Sequence, residues 1–360
     1  MIAVVLTGHG GFDKLEYRDN VPVPQPGPSE VLIRVGAAGV NNTDINTRTG
    51  WYSKSVTTDT NTGGASGFAS ADDSDGSWSG RPFEFPRIQG ADCCGQIVAV
   101  GSSVDTGRIG ERVLVRPMQP GETDANTGAF VCKTYGSEFD GGFAQYAKAY
   151  SIDALKIDSD LNDIELASFP CAYSTAEGML ERANVGAETV LVTGASGGVG
   201  SATVQLVKRR GGNVIAITAL AKQDQVLALG ADRVIDRDSD LLEAPGADSV
   251  DVVVDLVAGP QWPQLLEVLK RGGRYVTAGA IAGPIVELDV RTLYLKDLSL
   301  FGCTYQRGEI FENLIGYIER SEIRPLVSKS YALEDIVQAQ QDFIAKKHIG
   351  KLVLVPPQDE

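Results

Sequence analysis

"VLVTGASGGVGSATVQLVKRRGGNVIAITALAK", residues 190–222, decides the fold. Val190-Leu191-Val192-Thr193 is short, apolar and β-branched, the composition of a strand buried on both faces of a parallel sheet. A glycine turn follows at once, from Ala195 to Gly200. From Ser201 to Arg210 the residues Val204, Leu206 and Val207 recur at helical intervals, and Gly211-Gly212 ends the helix. Val214 to Thr218 reads as a second strand. Strand, glycine turn, helix and strand form the unit that seats a dinucleotide pyrophosphate. Gly197 lets the backbone approach the phosphates, and Gly200 lets the helix pack on the strand. The amides at the helix start face the anion, which the helix dipole also favours.

The end of the second strand selects the dinucleotide. An NAD site places Asp or Glu about 20 residues beyond the glycine turn, to bind the ribose hydroxyls. Here the chain reads Thr218-Ala219-Leu220-Ala221-Lys222, with no carboxylate. A carboxylate would repel a ribose phosphate, whereas Thr218 and Lys222 suit one. The expected cofactor is therefore NADP(H). The plainer alternative for Lys222 is an exposed lysine at a helix start.

The 360 residues suggest two domains, and a 43% hydrophobic content suits a globular chain. No apolar run reaches membrane-span length, and the start, Met1 to Val5, reads as a strand and not as a signal peptide. Five irregularly spaced cysteines make no disulfide framework, which points to the reducing cytoplasm. A net charge of −15 argues against nucleic acid and anionic membranes as partners. A small-molecule substrate remains.

Short β runs separated by turns fill the N-terminal part, including Val31 to Val35, Cys94 to Gly101 and Gly110 to Val115. Helix and strand alternate from about 160 to 305, with later strands at 251–257 and 273–279. Helices and a last strand, Lys351 to Val355, follow from Phe311. The stretch 53–81 is rich in Gly, Ser, Thr and Asp, with Phe68 and Trp78 as its large anchors. That composition predicts a long mobile loop, either a lid or a tolerated insertion.

The chain resembles the medium-chain dehydrogenase/reductase superfamily along its length. The resemblance rests on "AAGVNNTDINTRTG" (37–50), "IQGADCCGQIVAVG" (88–101), "GERVLV" (110–115) and "GGFAQYAKAY" (141–150). The glycine-turn stretch, "LKRGGRYVTAGA" (269–280) and "IGKLVLVP" (349–356) complete it. It implies an α/β fold: a GroES-like β-barrel domain plus a Rossmann domain with a doubly wound parallel sheet. The expected limits are 1–158 for the catalytic domain, 159–306 for the NADP-binding domain, and 307–360 for the return to the first.

Zinc members of the superfamily carry Cys-His after Gly-Val and Gly-His-Glu in the next motif. Here Asn41-Asn42 and Gly90-Ala91-Asp92 stand there, leaving Cys171 alone at the place of the third ligand. The lobe from Pro117 to Phe139 holds only Cys132 where a structural zinc needs four cysteines. No metal is expected, with a site rebuilt from Asp92, Cys171 and Cys93 as the alternative. The metal-free quinone oxidoreductases and enoyl reductases keep Asn and Asp in the first motif, as Asn41 and Asp44 do here, and a Tyr beyond its last Gly. The resemblance thus makes Tyr52 the general acid and Asn41 its partner in stabilising an enolate oxygen, although Trp51 and Tyr52 also suit a loop anchor. It carries cofactor contact to Thr175, Ser196, Gly197, Gly198, Val199, Gly200, Thr218 and Lys222. Val257, Ala280 and Thr304 fall on the nicotinamide side, and Lys351 at the adenosine phosphate. "RTLYLKDLSLFG" (291–302) resembles the edge strand of family dimers, so a homodimer is expected.

The expected function is NADPH-dependent reduction of a quinone, enone or enal by hydride transfer without zinc. Two alternatives stand beside it: an alcohol dehydrogenase or carbonyl reductase of the same family, and a non-enzymatic NADPH-binding protein.

Overall fold

The computed structural model describes residues 1–119 and 133–358, so Cys132 lies outside the described residues. The opening stretch folds as its pattern requires. Strand Thr189–Val192 leads through the glycine turn into helix Gly198–Arg209, and strand Asn213–Thr218 returns parallel to the first. Four more parallel strands follow: Arg233–Asp236, Val250–Asp255, Leu269–Thr277 and Ser299–Gly302. Taken in chain order, the six lie across the sheet as third, second, first, fourth, fifth and sixth. The order reverses between Thr189–Val192 and Val250–Asp255, where an open parallel sheet receives its ligand. Leu191, Val253, Leu266 and Tyr275 belong to one buried apolar cluster. Each such side chain contributes about 1.5–3 kcal/mol by leaving water.

This sheet belongs to a compact unit of residues 172–310 together with Thr57–Thr60. The other unit comprises 1–56, 61–171 and 311–360. The division falls inside helix Pro170–Arg182 and not at 158, because the intervening segment packs on the first unit. There, helix Asp163–Leu166 lies so close to strand Glu30–Gly39 that a methyl on Gly36 would overlap the Asp163 carboxylate.

The first unit holds a seven-stranded sheet built around Glu30–Gly39. That strand pairs antiparallel with Cys94–Val100, with Tyr146–Tyr150 and with the returning strand Lys351–Val355. Strand Val327–Ala332 lies parallel to the last of these. A three-stranded sheet centred on Ala3–Leu6 adds a second layer. The residues between share one core, including Leu6, Ile33, Ile97, Phe143 and Leu354. The return strand sets Lys351 beside Gly39, the residue that precedes the Val40-Asn41 motif.

Residues 53–81 form turns without helix or strand, as their composition predicts, yet they are tied down. Arg48, on helix Asn42–Thr49, is 0% exposed and needs acceptors for its guanidinium. It donates to the Gly10 carbonyl at 2.7 Å, the Gly64 carbonyl at 2.6 Å and Gln340 Oε1 at 2.7 Å, and it stacks on Phe12 at 4.4 Å. Phe68 N donates to Thr49 O at 3.1 Å, and Asp72 N donates to Ser53 Oγ at 2.9 Å. Within the second unit, Thr60 N donates to Ile281 O at 3.0 Å. Gly64 of the loop thus lies over a buried charge. Arg48→Met should lower the unfolding free energy in urea by about 3–5 kcal/mol, since three acceptor oxygens, two of them on buried residues, lose their donor. An unchanged free energy would show that Arg48 does not anchor the loop.

Candidate active site

In the first unit, three side chains and a backbone amide converge from distant parts of the chain. Asp92 is 0% exposed and carries a carboxylate that no water can screen. Its Oδ2 accepts from Lys351 Nζ at 2.7 Å and from Asn41 Nδ2 at 2.8 Å. Its Oδ1 accepts from Cys171 N at 2.6 Å, in the first turn of helix Pro170–Arg182. Lys351 Nζ also donates to Asn41 Oδ1 at 2.5 Å, and Asn41 Nδ2 donates to Gly39 O at 3.2 Å. Every one of these partners reduces the cost of burying a charge.

Two of the expected site residues have partners within the first unit. Asn41 was expected to stabilise a substrate oxygen, but its two amide hydrogens are committed to Asp92 and Gly39. Lys351 was expected at the adenosine phosphate, but its ammonium, 3% exposed, neutralises Asp92 inside the first unit. The buried carboxylate needs a countercharge, and Lys351 supplies it.

The same geometry tests a catalytic zinc. Ala91 offers no donor atom, Asn41 is committed, and an ammonium sits on the Asp92 carboxylate. Among the described residues no three His, Cys, Asp or Glu side chains converge as a metal site requires. These residues do not fit zinc.

Tyr52 lies beside this cluster. Its hydroxyl donates to Thr43 Oγ1 at 3.1 Å, and its ring stacks on Trp78 with centroids 6.3 Å apart. Burial, and then the nearby Cys171 and Asp44, push its phenol up to about 12, against the pull of the Thr43 bond. It stays protonated at any working pH. Thr43, which the sequence reading passed over, accepts from Tyr52 and so has its own hydroxyl hydrogen to place. Asp44 caps the start of its helix, accepting from Asn41 N at 2.8 Å and Gly90 N at 3.3 Å. Burial raises its carboxyl to about 7, and Asp92 adds to the rise, while Lys351 and the two amides oppose it.

In the second unit, the glycine turn is shaped for a phosphate. Gly197 caps helix Gly198–Arg209 without a side-chain acceptor, so the amides of Gly198, Val199 and Gly200 head the helix. A methyl on Gly200 would overlap the Gly194 carbonyl, whereas one on Gly197 would meet only that carbonyl, at 3.4 Å. A cradle of that kind fits a pyrophosphate. Thr218 ends its strand, and its carbonyl accepts from Arg237 N at 3.0 Å. Burial and the adjoining Arg237 guanidinium lower the Lys222 ammonium below its ordinary value. Two cations thus stand together where the sequence lacks an acid. Arg237 went unnoticed because it lies one strand further on, in an acidic run.

Asp255 was missed as well. It is 0% exposed at the end of its strand and accepts from Thr193 Oγ1 at 2.6 Å, Tyr275 Oη at 2.6 Å and Val257 N at 2.9 Å. It fixes the turn that carries Val257 at the strand reversal. An acid closing the β-branched run 250–255 was its only signal in the sequence. Thr175 Oγ1 accepts from Gln306 Nε2 at 3.2 Å. Ser196, Val257 and Ala280 are half-buried and Thr304 is exposed, all in this unit.

Comparison with known proteins agrees with this architecture. The sequence profile for the alcohol dehydrogenase GroES-like domain matches residues 27–159, and that for zinc-binding dehydrogenases matches 229–354. The NAD dependent epimerase/dehydratase family profile matches 190–267. A crystal structure from Sinorhizobium meliloti 1021, provisionally assigned as an alcohol dehydrogenase, is 44% identical, with TM-score 0.85 over 99% of this chain and 97% of that one. Acryloyl-coenzyme A reductase of Metallosphaera sedula is 28% identical over 98% of this chain and 99% of its own. Quinone oxidoreductase of Mus musculus is 29% identical over 99% of this chain and 98% of its own. The chain belongs to the medium-chain dehydrogenase/reductase superfamily, and it is an oxidoreductase with a nicotinamide cofactor.

The Asp44 carboxyl generates a pH prediction. With its folded value near 7 against the ordinary 3.8, the folded chain holds the extra proton between those limits. Stability from this group is therefore full below about pH 4 and lost as pH rises through about 7. Urea unfolding of Asp44→Asn should lack this fall, so that its stability relative to wild type rises steadily between those limits. Parallel curves would sink the assignment.

Proposed function

We propose that this protein is an NADPH-dependent reductase of conjugated carbonyl compounds, a quinone or an enone or enal, working without zinc. The observation that carries the reading is the pairing of Asp92 with Lys351 where the zinc branch holds a metal, beside a phenol that keeps its proton. Relatives named quinone oxidoreductase and acryloyl-coenzyme A reductase support it.

A bound reduced nicotinamide supplies the hydride. The chain's residues bind and orient around it. The amides of Gly198, Val199 and Gly200 hold the pyrophosphate, and Lys222 with Arg237 holds the ribose phosphate, whose charge relieves their mutual repulsion. Asp255 fixes the turn at Val257. Tyr52, neutral throughout, turns its one hydroxyl hydrogen from Thr43 Oγ1 to the substrate oxygen as that oxygen gains charge, and Thr43 then donates its own hydroxyl hydrogen to the phenol oxygen and holds it in place. A homodimer is supported by the sheet's edge strand Ser299–Gly302 and the exposed Tyr294, Leu295 and Leu300 near it.

Incubation with NADPH and an α,β-unsaturated aldehyde tests the reaction, because both double bonds are open to reduction. The saturated aldehyde is expected, and Tyr52→Phe should lose about 10²–10³-fold in kcat. An allylic alcohol would overturn conjugate reduction in favour of the carbonyl chemistry named for the Sinorhizobium structure. The cofactor half is checked by calorimetry. Lys222→Ala and Arg237→Ala should each weaken NADPH by about 10–100-fold and leave NADH unchanged. Equal losses for both cofactors would refute the phosphate assignment.

A further inference from the structure

We propose that Gln261 and Gln264 are positioning residues of the cofactor site, whose side chains hold the segment 237–241 so that Arg237, and not its acidic neighbours, meets the ribose phosphate. The inference rests on the NADPH reading above and deepens it by naming what fixes the phosphate site. Arg237 leaves the edge strand Arg233–Asp236 inside the run Asp236-Arg237-Asp238-Ser239-Asp240, which sets three carboxylates around one guanidinium. A phosphate is drawn by the guanidinium and repelled by the acids. The placing of this backbone therefore decides whether the second cation beside Lys222 serves an anion at all.

The run is held from both sides. Arg237 N donates to Thr218 O at 3.0 Å, at the end of strand Asn213–Thr218. The Arg237 carbonyl accepts from Gln261 Nε2 at 2.8 Å, and the same amide donates to Ser239 O at 3.4 Å. Leu241 N donates to Gln264 Oε1 at 3.1 Å. Two of the acids are turned onto the backbone of the run, Asp236 Oδ1 accepting from Asp238 N at 2.9 Å and Asp240 Oδ1 from Leu242 N at 2.8 Å. The third, Asp238, lies 3.8 Å from Arg237 Nε in an exposed pair, which water weakens.

The two glutamines are themselves fixed. They stand three residues apart at the start of helix Trp262–Glu267, a spacing that brings both amides to one face. Trp262 between them is buried and packs on Tyr275, with ring centroids 5.7 Å apart, and Tyr275 Oη donates to Asp255 Oδ2 at 2.6 Å. The turn Gly259–Gln261 that enters the helix has no slack, because a methyl on Gly259 would overlap Ala282. A helix anchored on the core thus serves as the fixed frame for the Arg237 run.

Calorimetry on the full chain with NADPH and NADH tests the inference. Gln261→Met, close in size and without the amide, should weaken NADPH about 3–10-fold and leave NADH unchanged. Gln264→Met should act in the same direction, and the two together should lose more than either alone. In an Arg237→Ala background, Gln261→Met should cost NADPH nothing further, because the amide acts through Arg237. Equal losses for NADPH and NADH, or a full additional loss in the Arg237→Ala background, would overturn the proposal and leave the glutamines a merely structural role. Should Gln261→Met fail to fold, Gln261→Asn, too short to reach both carbonyls, takes its place with the same expectations. Wild type alone tests the reading beneath. Equal affinity for NADPH and NADH overturns the phosphate site and this inference with it. Tighter NADPH in wild type, with unchanged affinities in the variants, leaves the phosphate site standing and removes only the role of the glutamines.

Discussion

A carboxylate taken wholly out of water must be paired or hydrogen-bonded, and in this chain Asp92 meets the positive charge of Lys351. Much of the first unit is arranged by that requirement. The return strand enters the sheet beside Glu30–Gly39 and so brings the ammonium to the Asn41 motif. Gly39 has no side chain because the pair occupies the space. Asn41 becomes a bridge between the two charges, and Cys171 is held through its backbone amide. The profile for zinc-binding dehydrogenases matches residues 229–354, and the side chains of Asp92, Asn41 and Lys351 bind one another.

The second unit solves a different problem, that of receiving an anion. Its sheet reverses order beside the glycine turn, so helix amides and the Val257 turn share one edge of the sheet. Asp255 spends a buried charge on holding that turn, satisfied by Thr193, Tyr275 and backbone amides. Burial, and then the neighbouring Asp255, hold the Tyr275 phenol well above the ordinary range. Lys222 and Arg237 stand together in this unit, and burial and that neighbour lower the Lys222 ammonium below its ordinary value.

What was legible in the sequence had a local cause. The glycine turn, its flanking strands and the missing acid at 218–222 are set by short-range pattern, and the parallel sheet followed from them. The roles of Asn41 and Lys351 were not legible, because each depends on a partner far along the chain. Arg48 was passed over for the same reason, since its acceptors lie at Gly10, Gly64 and Gln340. The loop 53–81 looked mobile by composition, but a buried guanidinium beneath it needed a carbonyl. Composition reports what a segment can bury, and not what its neighbours require of it.

By itself, the sequence determined the class of fold, the phosphate-binding turn and the absence of zinc-type ligands at Asn41 and Ala91, because periodicity, glycine placement and side-chain chemistry are properties of short stretches. Only the tertiary structure decided that Lys351 faces Asp92, that Asn41 is committed to both, and that Tyr52 is held by Thr43 with its phenol raised. Those facts depend on burial and on strand register, which bring together charges that the chain keeps hundreds of residues apart.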